Sequence, residues 1–326
     1  MGRLSIRWFL AAALVSVVAI PAGAQRVITP QIGRFINLKR LPKETPELQV
    51  EYARSLLTEG RYDEAIRETE KFDEFYGDTD YADDNQFLRG EIRLAQEKFM
   101  DAAKEFQRVL SDYPQTDLFD EVIAKQYEVG DSYYAKGKAN LEKGWWHRFK
   151  GRPFRKAVTV YSMVIDNQPF TDAAAEAQYK IGLCHFTLEE YVEAAFEYRR
   201  VVEDYGQSDW VDDACYGLAV CYYEASLPAD YDQAPSQLAV TAIDEFKERF
   251  PSDGRGSELG AKRVEMRNLL AQQRLQTAQF YEKRRKFTAA TIYYTIVAEE
   301  FGETDAANQA RAWLQENGAG AGRVDS

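Results

Sequence analysis

The feature that most constrains this chain is a short pattern that recurs along it. An aromatic residue is followed three positions later by Ala, and twelve positions beyond that Ala stands Pro or Gly. Tyr62, Ala65 and Gly77 make the first copy. Phe99, Ala102 and Pro114, then Phe154, Ala157 and Pro169, then Tyr191, Ala194 and Gly206 follow, and Phe287, Ala290 and Gly302 make the last. Ala239 and Pro251 keep the interval, with Ser236 in the aromatic's place. A second small residue precedes the Ala, twelve positions earlier at Ala53, Gly90, Gly182 and Ala278, and further back at Gly130 and Gly217. Two antiparallel helices joined by a tight turn account for this spacing. Small residues face each other where the helices cross most closely, and the aromatic fills the gap beside the crossing. Pro or Gly stops the second helix, since Pro cannot continue one and Gly suits its C-cap.

This ladder is the signature of the tetratricopeptide repeat, TPR. It predicts an all-α TPR α-solenoid of about six helix-pair repeats, because an isolated pair cannot bury its apolar face and must stack. No stretch sustains a period-two pattern, so no sheet is expected. The Ala-to-Ala steps are 37, 55, 37, 45 and 51 residues, against about 34 for a minimal repeat. The excess locates the insertions. One runs from about Gly137 to Gly151 between the helices of repeat 3. Another, in repeat 5, contains Leu227 to Pro235. The third lengthens the C-terminal first helix over Ser257–Arg285, as one helix or two in line. Ala306–Gln315 reads as a cap helix with Trp313 on its apolar side. The solenoid is thus expected over 46–316, between a Pro-bearing tether at 25–45 and a Gly-rich disordered tail at 317–326.

Ahead of the tether lies an address. Arg3 and Arg7 form a basic start, Trp8 to Ile20 is an apolar run, and Pro21 with Ala22-Gly23-Ala24 has the form of a secretory cleavage site. Cleavage is expected between Ala24 and Gln25, which makes 1–24 a signal peptide and the mature chain periplasmic. The run falls short of the ~20 residues a spanning helix needs. Gln25 rather than Cys follows the small residues, so no lipid is expected at the cleavage site.

The chain carries a net charge of −12, which argues against nucleic acid as a partner, because that binding depends on neutralising phosphates. Residues that bear chemistry are sparse. His147 and His185 are the only imidazoles, and His185, three positions after Gly182, reads as packed or capped. Asp83-Asp84 and Asp212-Asp213 fall near the starts of first helices, where acids oppose the positive end. Cys184, Cys215 and Cys221 lie on first helices. Buried free thiols are the expectation, although an exported protein can also form a Cys184–Cys215 bridge. No Ser stands in a nucleophile elbow, and no glycine loop cradles a phosphate. A non-catalytic protein without cofactor or metal is expected.

What remains is surface. Counting three back and four on from the small residue of each first helix gives Phe87, Tyr127, Tyr134, Tyr179 and Phe186. These rings either line a concave groove for an extended or helical peptide, or fill the core between repeats. The repeat-3 insertion is the other candidate. From Lys136 to Lys156 it has eight cations, among them Arg148, Lys150 and Arg152, and Glu142 as its only acid. Trp145, Trp146 and Phe149 interrupt the charges. Its rings either fold back on the solenoid while its cations neutralise acidic neighbours, or the loop docks on a protein or on the lipid headgroup zone, a peripheral membrane contact.

The C-terminal half carries a resemblance. Asp230-Tyr231-Asp232-Gln233-Ala234-Pro235 precedes a second helix ending in Phe250-Pro251. A long charged helix follows, ending in Ala278-Gln279-Phe280-Tyr281-Glu282-Lys283-Arg284. Next come Phe287-Thr288-Ala289-Ala290, Tyr294 and Phe301-Gly302. This order resembles the BamD-like family, the TPR lipoproteins of bacterial outer-membrane barrel assembly, best over 210–316 and more loosely from about 126. The resemblance implies a periplasmic scaffold for β-barrel protein assembly. Its N-terminal repeats would receive unfolded outer-membrane protein segments, and its C-terminal repeats would dock on the barrel-assembly component. Two departures, Gln25 in place of a lipidated Cys and the extra N-terminal repeats, keep open a second reading: a TPR adaptor of another envelope system, such as constriction or secretion.

Overall fold

The computed structural model describes residues 26–28, 35–37, 41–142 and 151–317. The cleavage site at Ala24 and Gln25 and the tail beyond Asn317 lie outside the described residues. The expectation of no sheet needs one correction. Strands β1 (Arg26–Ile28) and β2 (Phe35–Asn37) pair antiparallel, with Val27 opposite Ile36. Strands of three residues are too short to show as an alternating pattern. Everything else regular among the described residues is helical, in six antiparallel pairs and one terminal helix, an all-α TPR solenoid. Two compact units divide the chain at Val122.

The first unit holds α1 (Pro46–Thr58), α2 (Tyr62–Tyr76), α3 (Ala82–Ala95), α4 (Phe99–Asp112) and the start of α5 (Phe119–Glu142). Thr45 caps α1, its side chain accepting from the Leu48 N–H at 3.2 Å, and Pro46 follows where no amide partner is needed. Leu56, Phe72, Leu88 and Ile92 form the core between its helices. The second unit holds the rest of α5, then α6 (Gly151–Asn167), α7 (Asp172–Thr187), α8 (Tyr191–Asp204), α9 (Val211–Glu224) and α10 (Ala234–Arg249). It ends with α11 (Gly256–Lys283), α12 (Phe287–Glu300) and α13 (Asp305–Asn317). The long C-terminal helix is therefore one helix, α11, and Trp313 of the cap helix α13 stacks on Tyr294 with centroids 4.2 Å apart.

The small residues do what close crossings require, with a different partner from the one expected. Ala65, Ala102, Ala157, Ala194, Ala239 and Ala290 are all fully buried. The side chains that come nearest the glycines of the first helices, however, are rings. A Cβ on Gly90 would lie 2.5 Å from the Phe106 ring, and Cβ atoms on Gly182 and Gly217 would each lie 2.7 Å from Tyr198, which is held between them. Gly130 meets Tyr161 in the same way. Phe106, Tyr161 and Tyr198 each stand four residues after the repeat's Ala, one helical turn along the same face.

Three further details differ from the reading of the sequence. Gly137 lies within α5, not in an insertion, because Phe154 packs where its Cβ would be. Residues 143–150, which follow α5 and precede α6 in sequence, lie outside the described residues. The glycines that end second helices are not left-handed: Gly77 has φ −58°, and a Cβ there would lie 2.8 Å from the Asp73 carbonyl oxygen. Left-handed backbone occurs in the turns inside repeats, at Gly60 (φ 74°), Glu97 (57°), Glu189 (61°) and Arg285 (59°), and once between repeats, at Phe170 (68°) after Pro169.

A polar ladder runs through repeats 1 to 4. Gln49, Gln86, Gln126 and Gln178, each four residues before the small residue of its first helix, are buried. The Gln86 amide donates to the carbonyl (3.0 Å) and the carboxylate (2.8 Å) of Glu105. Gln49 does the same to Glu68 at 3.0 and 2.9 Å, and Gln178 bonds the Glu197 carboxylate. Those three glutamates pair in turn with Lys71, Arg108 and Arg200, three residues on. Repeat 3 substitutes Asn167, which donates to Gln126 at 3.1 Å. Each buried amide thus ties its first helix to its second.

Candidate protein-interaction surface

The five rings picked out on first helices all pack within the solenoid. Phe87 is 7% exposed and lies 5.3 Å from Phe106, so it is a core residue with little surface to offer a groove. The other four are half-buried in the second unit. Tyr127 contacts Tyr161 and donates to the Ala173 carbonyl; Tyr134 lies edge-on to Phe154 and its hydroxyl is 3.1 Å from Thr187. Tyr179 stacks on Trp210 at 5.1 Å, and Phe186 meets Tyr191 at 5.6 Å. Burial, reinforced by the charge of Asp213, pushes the Tyr179 hydroxyl up to about 12. Lys180 reaches over Tyr127 and Tyr161 and pairs with Asp131 at 2.8 Å.

Of the basic insertion, Trp145, Trp146, Arg148 and Lys150 lie outside the described residues, as does His147. Arg152 is exposed in the first turn of α6. Arg155, one turn further, pairs with Glu190 at 2.7 Å.

The other polar candidates have structural partners. His185 Nδ1 lies 2.8 Å from Glu190 Oε2. All three cysteines are free thiols, and burial pushes Cys184 and Cys221 up to about 12. Asp83 accepts from the Thr116 hydroxyl at 2.7 Å. Burial, then the charge of Asp83, raises the neighbouring Asp84 carboxyl. Asp212 and Asp213 grip Arg255 at 2.9 and 2.5 Å, joined by Asp253 at 2.6 Å. This clamp fixes the start of α11 against α9. Two turns of register continue it: Tyr216 donates to Glu258 (3.1 Å) and Tyr223 to Glu265 (2.5 Å). Bonding to Arg255 holds the Asp253 carboxyl below the usual carboxylate range.

A built recess stands at the other end of α11. Gln273, Gln276, Thr277 and Phe280 recur at positions i, i+3, i+4 and i+7, one face of the helix. Opposite them stand Ala229, Asp230 and Tyr231 of the repeat-5 insertion, and Tyr281 closes the lining of a cleft of about 400 Å³. The lining offers the amides of Gln273 and Gln276, the hydroxyl of Thr277 and the rings of Tyr231, Phe280 and Tyr281. Tyr231 is 61% exposed and Phe280 48%, with Leu227 (48%) beside them on the insertion. The Arg284 guanidinium lies 4.3 Å over the Phe280 ring, and Tyr281 stacks on Tyr293 at 5.3 Å. An extended segment with an apolar side chain matches such a lining, because amides satisfy its backbone while the rings cover the side chain. Counting from small residues missed this cleft, since none of its lining stands at a repeat-defining position. The signal in the sequence was the coincidence of an inserted loop with an aromatic pair, Phe280-Tyr281, at the end of a lengthened helix.

Half of the lining, Asp230 and Tyr231 on one side and Phe280 and Tyr281 on the other, falls in two of the segments that carry the family resemblance. Comparison with known proteins agrees with it. A tetratricopeptide repeat family model matches residues 84–116. The outer membrane protein assembly factor BamD of Caulobacter vibrioides is 23% identical over 171 residues, which cover 52% of this chain and 53% of that protein, so the match spans about half the length of that curated relative. Among solved structures, a thermophilic TPR protein of Thermus thermophilus is 13% identical, covering 68% of this chain and 98% of its own, with a TM-score of 0.33. A TPR protein of Parabacteroides merdae is also 13% identical, over 82% of this chain and 98% of its own, with a TM-score of 0.34. The family model described as YfiO, outer membrane lipoprotein, matches residues 130–322, more than half of the sequence. The chain belongs to the YfiO family of outer membrane lipoproteins.

Proposed function

We propose that this protein is a non-catalytic scaffold of outer-membrane β-barrel assembly, exported through the leader at 1–24 to the periplasm. Its C-terminal repeats hold the barrel-assembly component at the cleft between the repeat-5 insertion and α11. The observation that carries this reading is the meeting of Asp230 and Tyr231 with Phe280 and Tyr281, from two of the segments that carry the resemblance, in the lining of one recess. Family membership and the likeness to an assembly factor over 171 residues support it. The N-terminal repeats then receive unfolded outer-membrane protein segments. The basic insertion around Trp145, Trp146 and Arg148 adds a peripheral membrane or protein contact.

A specific observation favours one variation. The family match begins at residue 130, so repeats 1 and 2 stand outside it. An adaptor that carries its own additional client module, for constriction or secretion, fits that extension. Affinity capture from crosslinked envelopes tests both readings. The proposal expects an outer-membrane barrel with periplasmic docking domains in the wild-type eluate, depleted when Tyr231 and Phe280 are both changed to Ala. A division or secretion component in its place, equally sensitive to those changes, would move the protein to the adaptor reading.

A further inference from the structure

Repeat 5 departs from the others in two ways at once: it loses the leading aromatic and gains an inserted loop. The structure joins the two. Where the other repeats carry a ring, Ser236 is fully buried, and its hydroxyl donates to Gln233 Oε1 at 2.9 Å. The other end of the same amide points into the loop. Gln233 Nε2 donates to the carbonyl oxygens of Leu227 (3.2 Å), Pro228 (2.9 Å) and Tyr231 (3.1 Å). Gln233 is 6% exposed and Ala229 7%, so both are buried, and Gln233 lies against the serine. The Tyr231 N–H closes a turn onto the Pro228 carbonyl at 2.9 Å, and Asp232 caps α10 by accepting from the Ala234 N–H at 3.1 Å.

The two N–H groups of one buried carboxamide are thus shared among three loop carbonyls, that of Pro228 also accepting from the Tyr231 N–H, while Leu227 and Tyr231 stay exposed. We infer that Gln233, locked by Ser236, is the positioning residue that holds the repeat-5 insertion as a preformed wall of the docking cleft, and that the aromatic was replaced by serine to make room for it. A loop already in its bound shape loses less conformational freedom when a partner seats on it. The inference rests on the cleft being the docking site, but the loop's own order can be measured without any partner.

The test uses the full chain and three variants. Gln233→Glu keeps the size of the side chain but removes both N–H donors, and puts a carboxylate against three carbonyl oxygens. Ser236→Ala removes only the lock, and serves if Gln233→Glu does not fold. Tyr231→Ala trims the wall without touching the staple. Two readouts are taken: hydrogen exchange at the Tyr231 amide, and affinity for the purified barrel-assembly component of the same envelope. Gln233→Glu is expected to speed exchange at Tyr231 at least tenfold and to weaken binding at least tenfold, with Ser236→Ala smaller in both. Tyr231→Ala is expected to weaken binding while its neighbours exchange as in wild type. Unchanged exchange at Tyr231 in Gln233→Glu, or in Ser236→Ala when the former is unfolded, would overturn the staple whatever the partner does. Faster exchange with undiminished binding, while Tyr231→Ala binds weakly, would overturn the positioning role alone. Undiminished binding by every variant would overturn the docking reading, and with it the positioning role.

Discussion

Glu97 and Gly60 occupy equivalent turns inside their repeats, at φ 57° and 74°, and only one of them is a glycine. A non-glycine residue in the left-handed region is disfavoured by roughly 1–2 kcal/mol, partly offset by the entropy a glycine loses on folding. Glu97→Gly is therefore expected to stabilise the protein by about 0.5–1 kcal/mol in a denaturant titration; a loss of stability would contradict that account of the turn. The reverse holds where a ring is packed against a glycine. Gly90→Ala sets a methyl 2.5 Å from the Phe106 ring and is expected to cost ~1–3 kcal/mol. The thiols give a third expectation. With Cys184 and Cys221 raised to about 12 by burial, both stay protonated at pH 8. Iodoacetamide at pH 8 should leave both unmodified in the native protein, as peptide mass spectrometry would show, and modify them once it is unfolded. At this scale the repeat alanines were legible because each stands twelve residues before a Pro or Gly. The rings four residues after them, present in four of the six repeats, and the buried glutamines four residues before the small positions of repeats 1 to 4 also recur, but a glutamine on a helix reads as solvent-facing until its partner on the next helix is known.

At the scale of elements, the helices and their order followed from the ladder, and α11 from its lack of breakers. Hidden from the sequence was what fastens them, since each fastening joins residues far apart in the chain. The Gln86–Glu105 pair crosses 19 positions and the Arg255–Asp212 pair 43. Gln86→Ala removes both donors to Glu105, and is expected to cost ~1–3 kcal/mol, more than an exposed substitution such as Glu193→Ala, within about 0.5 kcal/mol of zero. The clamp at the start of α11 should be sensitive to acid. Asp253 is held below the usual carboxylate range in the folded protein. Its contribution is therefore complete above the unfolded carboxylate pKa of about 4 and is lost as pH falls through the lower folded value. Hydrogen exchange at the first turn of α11, corrected for the intrinsic rate, should accelerate below pH 4 ahead of the α11–α12 core. Arg255→Ala should show that faster exchange already at neutral pH.

For the whole molecule, the sequence marked an all-α repeat protein and the stretch that carries its family likeness, and the family match at 130–322 falls on that stretch. The division at Val122 lies inside α5, where no change of composition marks it. The cleft was not legible because its walls are 42 to 50 residues apart in sequence, from Tyr231 to Gln273 and Tyr281, and meet only once α11 lies along the insertion. The central claim is that this cleft is where the barrel-assembly machinery is held. A photoreactive phenylalanine analogue placed singly at Tyr231, Phe280 and, as a control on the exposed face of α8, Val192 tests it in intact envelopes. The account predicts an adduct with an outer-membrane β-barrel component from Tyr231 and Phe280 and none from Val192. Absence of that adduct at both cleft positions, or the same adduct from Val192, would contradict it.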